Sequence, residues 1–206
     1  GRLINVEIPE GDTFSYIYDG NGRRVGKYKN GALERTYIYA NDSQIIGELV
    51  EDSGDYYRYI YADGLNTPSA VSNNGELYAI IRGIDNRIRL IINSTTGMLI
   101  GKMNYDEFGA LSEDSWTFLN ISLNGAGNIY DNETALVHIG TRDYSPKTGR
   151  WVNKDNVKYS IAVHPNLYTY CNNDPINYID LTGQDTWAIG RGASAYLGYG
   201  GSWSWM

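Results

Sequence analysis

Three copies of one tripeptide constrain this 206-residue chain more than any other feature: Tyr16-Ile17-Tyr18, Tyr37-Ile38-Tyr39 and Tyr59-Ile60-Tyr61, spaced by 21 and then 22 residues. A fixed period near 20 residues marks stacked units, none of which buries its own apolar face. Neighbours must supply that burial, so the chain reads as a slab of a longer array. The first copy runs on as Asp19-Gly20-Asn21-Gly22-Arg23-Arg24, and looser copies follow at 104–109 and 142–150.

Turn pairs arrive about every ten residues, among them Asn30-Gly31, Asn74-Gly75 and Thr148-Gly149, and such Asn-Gly pairs favour tight hairpins. Between them lie β-rich runs at 35–39, 44–50, 56–61, 87–93 and 98–105. The expected fold is all-β, a meander of antiparallel hairpins with almost no helix. Side chains alternate faces in a strand, so Tyr37 and Tyr39 share one face and Ile38 takes the other. Both faces are apolar or amphipathic, which predicts a strand covered on each side. Tyr37, Tyr39, Tyr59 and Tyr61 are expected to stack between adjacent strands. The chain has 19 Tyr against 3 Phe, a bias that suits a wall with one wet face, as in a shell or barrel.

The net charge of −7 and absence of a basic block disfavour nucleic-acid binding. Cys171 is the single cysteine, so no internal disulfide forms, and it reads as a buried, inert thiol. His138 and His164 lack further metal ligands at a recognised spacing and read as structural. The segment 198–201 lacks the Lys-Ser/Thr of a phosphate loop. No cofactor or metal is expected. The start carries no charged-then-apolar leader, and no apolar run approaches the ~18 residues of a membrane span. The chain is therefore expected to be soluble, part of a longer repeat, and prone to associate through unpaired edges when isolated. Texture divides it into a repeat segment at 1–135, a denser segment at 136–183, and a Gly/Trp-rich stretch at 184–206, either a tail or the start of another module.

The ordered motifs resemble those of Rhs/YD-repeat proteins. The Tyr-Asp-Gly-x-Gly-Arg line is similar to a YD repeat. Gly140-Thr141-Arg142-Asp143-Tyr144-Ser145-Pro146-Lys147-Thr148-Gly149-Arg150-Trp151 is similar to the signature of the Rhs-associated core. Lys154-Asp155, Asn166-Leu167-Tyr168, Asn173-Asp174-Pro175-Ile176-Asn177 and Asp180-x-Thr182-Gly183 follow in the order of its closing motif. The match covers roughly 14–183. The resemblance implies a hollow β-cocoon in 1–135, closed by an inward-curling plug in 136–183. It implies a secreted or cell-surface bacterial toxin segment that encloses a C-terminal effector. Its partners would be that cargo, further N-terminal repeats and a secretion or delivery apparatus.

The resemblance also implies an aspartic autoprotease acting once in cis, with Asp143 and Asp155 as its carboxylates and Arg142 beside them. Two facing carboxylates do not both ionise cheaply; one keeps a proton as acid while the other activates water. Arg142 would hold the pair's charge or that of the scissile carbonyl. Cleavage is expected shortly after Gly183 or, second, within 168–171. Read locally, residues 145–149 form a five-residue hairpin loop that sets Tyr144 opposite Arg150 and Asp143 opposite Trp151. The chain then bends after Val152. Three features depart from the family: Asn156 after Asp155, the missing glycine pair in 157–164, and Leu181 for proline. The alternative function is a non-catalytic cell-surface YD-repeat module that binds glycans or partners.

Overall fold

The computed structural model describes residues 2–9, 11–63, 65–155, 166–180, 182–184, 186–188 and 196–197. Eleven antiparallel strands form a first sheet in chain order: β1 (Asn5–Glu7), β2 (Thr13–Tyr18), β3 (Arg24–Lys29), β4 (Ala32–Tyr39), β5 (Ile45–Val50), β6 (Asp55–Ile60), β7 (Ala70–Asn73), β8 (Glu76–Arg82), β9 (Ile88–Asn93), β10 (Leu99–Lys102) and β11 (Trp116–Thr117). A second sheet holds β12 (Leu123–Asn124), β13 (Asn128–Asp131), β14 (Leu136–Ile139), β15 (Arg142–Ser145) and β16 (Arg150–Trp151). A third holds β17 (Tyr178–Asp180), β18 (Thr186–Ala188) and β19 (Tyr196–Leu197). Among the described residues, the one helical element is a 3-10 turn at Cys171–Asn173. The all-β, antiparallel expectation is met. Asn30-Gly31 and Asn74-Gly75 have positive φ throughout and close two-residue hairpins, matching the right-handed twist of their strands.

The repeat is longer than its three obvious copies. Asp19, Asn41, Asp63, Asp85 and Asp106 recur every 21 or 22 residues, and each accepts backbone N–H bonds from the turn that follows it. These Asx turns end one strand and aim the next. The last residue of each tripeptide ties its strand to the start of the preceding one. Tyr18 Oη donates to Leu3 O (2.6 Å), Tyr39 Oη to Arg24 O (2.9 Å) and Tyr61 Oη to Ile45 O (2.7 Å). In β8 the same stitch is made by Arg82 to Thr67 O (3.1 Å).

Three expectations about the tyrosines need correction. The repeats occupy every second strand, so equivalent rings lie about 9.5 Å apart, beyond the range of ring pairs. Ring pairs between neighbouring repeat tyrosines are absent among the described residues, and the tyrosine stack forms elsewhere, as Tyr144, Trp151 and Tyr170. The tyrosine face is dry: Tyr16, Tyr37 and Tyr59 are buried, a position taken by Ile80 in β8. The opposite face is open, with Ile17, Ile38 and Ile60 exposed at 46%, 45% and 36%.

The second sheet covers the tyrosine face. Leu119, Ile121, Leu123 and Ile129 share one core with Tyr37, Tyr57, Tyr59, Val71, Ile88 and Ile91, each fully buried apolar side chain contributing about 1.5–3 kcal/mol. Polar groups also cross this junction. Arg24 meets Asp143, Lys27 meets Asp131 (3.2 Å) and Glu133 (2.6 Å), and Arg35 meets the Asn120 backbone (2.9 Å). The first ladder ends at Thr117 and the second starts at Leu123, while the change of sequence texture at 135/136 falls inside the second sheet, between β13 and β14.

Candidate functional site

The β15–β16 hairpin sets the site. Its loop has four residues, 146–149, with Gly149 at φ 66°. Ser145 pairs with Arg150, and Tyr144 with Trp151, one residue away from the expected register. A shift of one residue moves a side chain to the other face. Asp143 thus lies beside Val152, whose N–H reaches its carbonyl, rather than opposite Trp151; on its other edge it pairs with His138 of β14.

Arg142 and Asp143 are successive in β15 and project to opposite sides. The Arg142 guanidinium lies over the Trp151 ring, 3.9 Å from its centroid. It pairs with Asp155 (2.9 Å), reaches Asp180 (3.5 Å) and donates from Nε to the Gly183 carbonyl in a very short bond. The closing segment approaches because two glycines permit it. Gly140 (φ 56°) faces the Thr182 carbonyl and Gly183 (φ 74°) faces the Ile139 carbonyl so closely that a Cβ at either would collide with backbone. Asp180 accepts the Gly183 (2.7 Å) and Thr182 (3.1 Å) N–H groups. Burial pushes its carboxyl up to about 6, against the opposing pull of Arg142 and these N–H donors.

Asp143 is fully buried. Its Oδ1 receives Arg24 (2.6 Å) and His138 Nδ1 (3.0 Å), while its Oδ2 has no hydrogen-bond partner. Arg24 Nε and His138 Nε2 are also unpartnered. Burial, then the Arg24 charge, pushes the His138 imidazole below its ordinary range, outweighing Asp143. A neutral ring donates Nδ1–H to the carboxylate and leaves Nε2 as a bare acceptor. The Asp143 backbone N–H meets Asn153 Oδ1 (3.3 Å), and its carbonyl accepts Val152 N–H (2.8 Å).

The predicted trio is thus divided. Arg142 and Asp155 are brought together; Asp143 is held by a different cation. Sequence reasoning missed Arg24, gave His138 only a structural role, and saw Asp180 only as a motif letter. Arg24 was legible as the end of the first repeat's Gly-Arg-Arg, but its partner was not. Cys171 is buried, and burial pushes its thiol well above the usual range, as expected of an inert group. His164, Asn156, 157–163, Leu181 and 198–201 lie outside the described residues.

A family model described as Teneurin YD-shell matches residues 1–176. Human Teneurin-4 is 31% identical over 187 residues, 86% of this chain and 7% of that protein. The tRNA3(Ser)-specific nuclease WapA of Bacillus spizizenii is 29% identical over 191 residues, 90% of this chain and 8% of that protein. Among solved structures, TcdB2-TccC3 without its hypervariable C-terminal region aligns with a TM-score of 0.61 at 18% identity, over 89% of this chain and 10% of that one. TcdB2-TccC3-TEV gives 0.60 at 21%, over 88% and 10%. These structural likenesses show the fold. The chain spans under a tenth of the length of the curated relatives it matches.

Proposed function

The chain belongs to the teneurin YD-shell family, and from that premise we propose that it is a shell-and-plug segment of an Rhs-type bacterial toxin, secreted or cell-surface, that encloses a C-terminal effector and frees it by aspartic self-cleavage. In this reading 1–135 is shell, 136–183 is plug, and 184–206 begins the released part. One observation carries it: a single guanidinium, Arg142, grips both the Asp155 carboxylate and the Gly183 carbonyl. That is the arrangement needed to present the Gly183–Gln184 peptide bond to a carboxylate and to oppose charge growing on its oxygen.

Hydrolysis consumes one water. Asp155, on the Arg142 side of β15, takes a proton from it as the oxygen bonds to the Gly183 carbonyl carbon, and Asp143, held on the opposite side of that strand, joins it only if the hairpin moves. The C–N bond then breaks, and the nitrogen of Gln184 leaves with the proton held by the other carboxyl. Asp143 offers the unpartnered Oδ2 for proton transfer. Asp180, near 6, keeps a second carboxyl of the cluster close to its neutral form at mildly acidic pH.

Intact mass of the full-length protein tests this. Wild type is expected to split after Gly183, while Asp143→Asn and Asp155→Asn remain whole and folded. Identical intact masses in all three would leave the non-catalytic surface module, which the match to the teneurin family supports.

A further inference from the structure

We infer that Arg24 and His138 are positioning residues for Asp143, so that the self-cleaving site is complete only once the first sheet has closed on the second. This rests on the self-cleavage reading above. Both residues engage the same oxygen: Arg24 and His138 meet Asp143 Oδ1 at 2.6 and 3.0 Å. The carboxylate is thereby fixed in rotation, and Oδ2 is the atom left to accept a proton.

His138 comes from the strand next to Asp143 and is present whenever that hairpin forms. Arg24 comes from β3 of the other sheet, 119 residues earlier. The repeat itself aims it. Asp19 caps the preceding turn through the Asn21 and Arg23 N–H groups and pairs with the Arg23 side chain. The Tyr16 ring lies 3.7 Å from the Arg24 guanidinium, and Tyr39 Oη holds the Arg24 carbonyl at 2.9 Å. Tyr18 covers the His138 ring, with centroids 5.7 Å apart. Two tyrosines of the first tripeptide and one of the second thus surround the cluster. Before the sheets meet, Asp143 lacks the Arg24 counter-charge and the donor that, with His138, fixes its Oδ1. Cleavage ahead of enclosure is thereby disfavoured, and cargo is cut free only inside a closed wall.

The chemistry differs from that of a simple staple. The ionisable groups facing Asp143 are Tyr18 from β2, Arg24 from β3 and His138 from β14, and three polar atoms of the Arg24, His138 and Asp143 set remain unpaired. A pair built only to hold two sheets together has no use for bare atoms.

The test is the rate and pH profile of self-cleavage in the full-length protein. Arg24→Gln is expected to slow cleavage at neutral pH at least tenfold and to alter its pH profile. Arg24→Lys keeps the charge and should leave the profile in place with a milder loss of rate. His138→Asn presents an N–H where Nδ1 was and should cleave near the wild-type rate, while His138→Leu should be several-fold slower. A wild-type rate and profile in Arg24→Gln would overturn the inference. Should that variant fail to fold, the His138 pair decides, and equal rates for Asn and Leu would overturn it. If Asp143→Asn cleaves normally, the self-cleavage reading itself falls; if it blocks cleavage while Arg24 and His138 prove indifferent, only the positioning role falls.

Discussion

Glu48 and Asp143 are both fully buried carboxylates at the junction of the two sheets, yet they are treated in opposite ways. Glu48 is saturated. Ser122 N–H reaches both of its oxygens (3.1 and 3.0 Å), Ser122 Oγ and Arg35 meet Oε1, and Tyr59 Oη meets Oε2 (2.6 Å). Asp143 has both of its side-chain donors on one oxygen and none on the other. A buried acceptor left bare costs about 1–3 kcal/mol, so a carboxylate whose task is only to hold sheets together is expected to look like Glu48. The contrast is what the proposed reactive role of Asp143 would lead one to expect of it beside a structural anchor.

The largest effect that tests this contrast is on stability. Glu48→Ala strands the Arg35 charge and the Ser122 donors, and should cost about 3–5 kcal/mol in urea unfolding. Asp143→Asn should cost less than Glu48→Ala, since its amide oxygen still receives Arg24 and His138, although the buried Arg24 charge is left unbalanced. If Asp143→Asn proved the more damaging, the distinction between anchor and reactive group would collapse.

A third buried carboxylate, Asp180, extends the comparison to pH. Its folded pKa of about 6 lies above the usual value of 3.8. Its contribution is complete below about 4 and is lost as pH rises through 6, a change of about 3 kcal/mol for two units. Asp180→Asn should remove that slope from a stability–pH curve. His138 acts with the opposite sign. Its folded pKa is depressed, so its contribution is present above about 6.5 and is lost as pH falls below that. His138→Asn should remove the loss on the acid side.

The smallest effect separates the two tyrosine positions. Tyr59→Phe removes a buried bond to charged Glu48 and should cost about 1.5–3 kcal/mol, whereas Tyr61→Phe removes a bond to the Ile45 carbonyl and should cost about 1 kcal/mol. Equal costs in chemical denaturation would mean that Glu48 gains nothing from Tyr59.

Much of this fold was legible in the chain because the rules that make it are local. Alternation of side chains placed Tyr37 and Ile38 on opposite faces, Asn30-Gly31 and Asn74-Gly75 closed their hairpins, and the 21–22 residue period announced a repeat. The errors arose where a neighbour decides. A five-residue loop at 145–149 and a four-residue loop at 146–149 are both compatible with Pro146 and Gly149, and only the seated partner strand selects the register. The dryness of the tyrosine face likewise depends on Leu119, Ile121 and Leu123 arriving from outside the repeat.

The sequence by itself determined an antiparallel β meander, its repeat period, and the family motif containing Arg142, Asp143 and Asp155. Those follow from backbone sterics, side-chain alternation and short-range hydrogen bonding, whose range is a few residues. The tertiary structure alone decided that Arg142 spans Asp155 and Gly183, that Arg24 lies against Asp143, and that one oxygen of Asp143 stays bare. These are matters of distance between residues far apart in the chain, and burial makes them count: in a low-dielectric junction, the nearest charge sets the chemistry of a carboxylate.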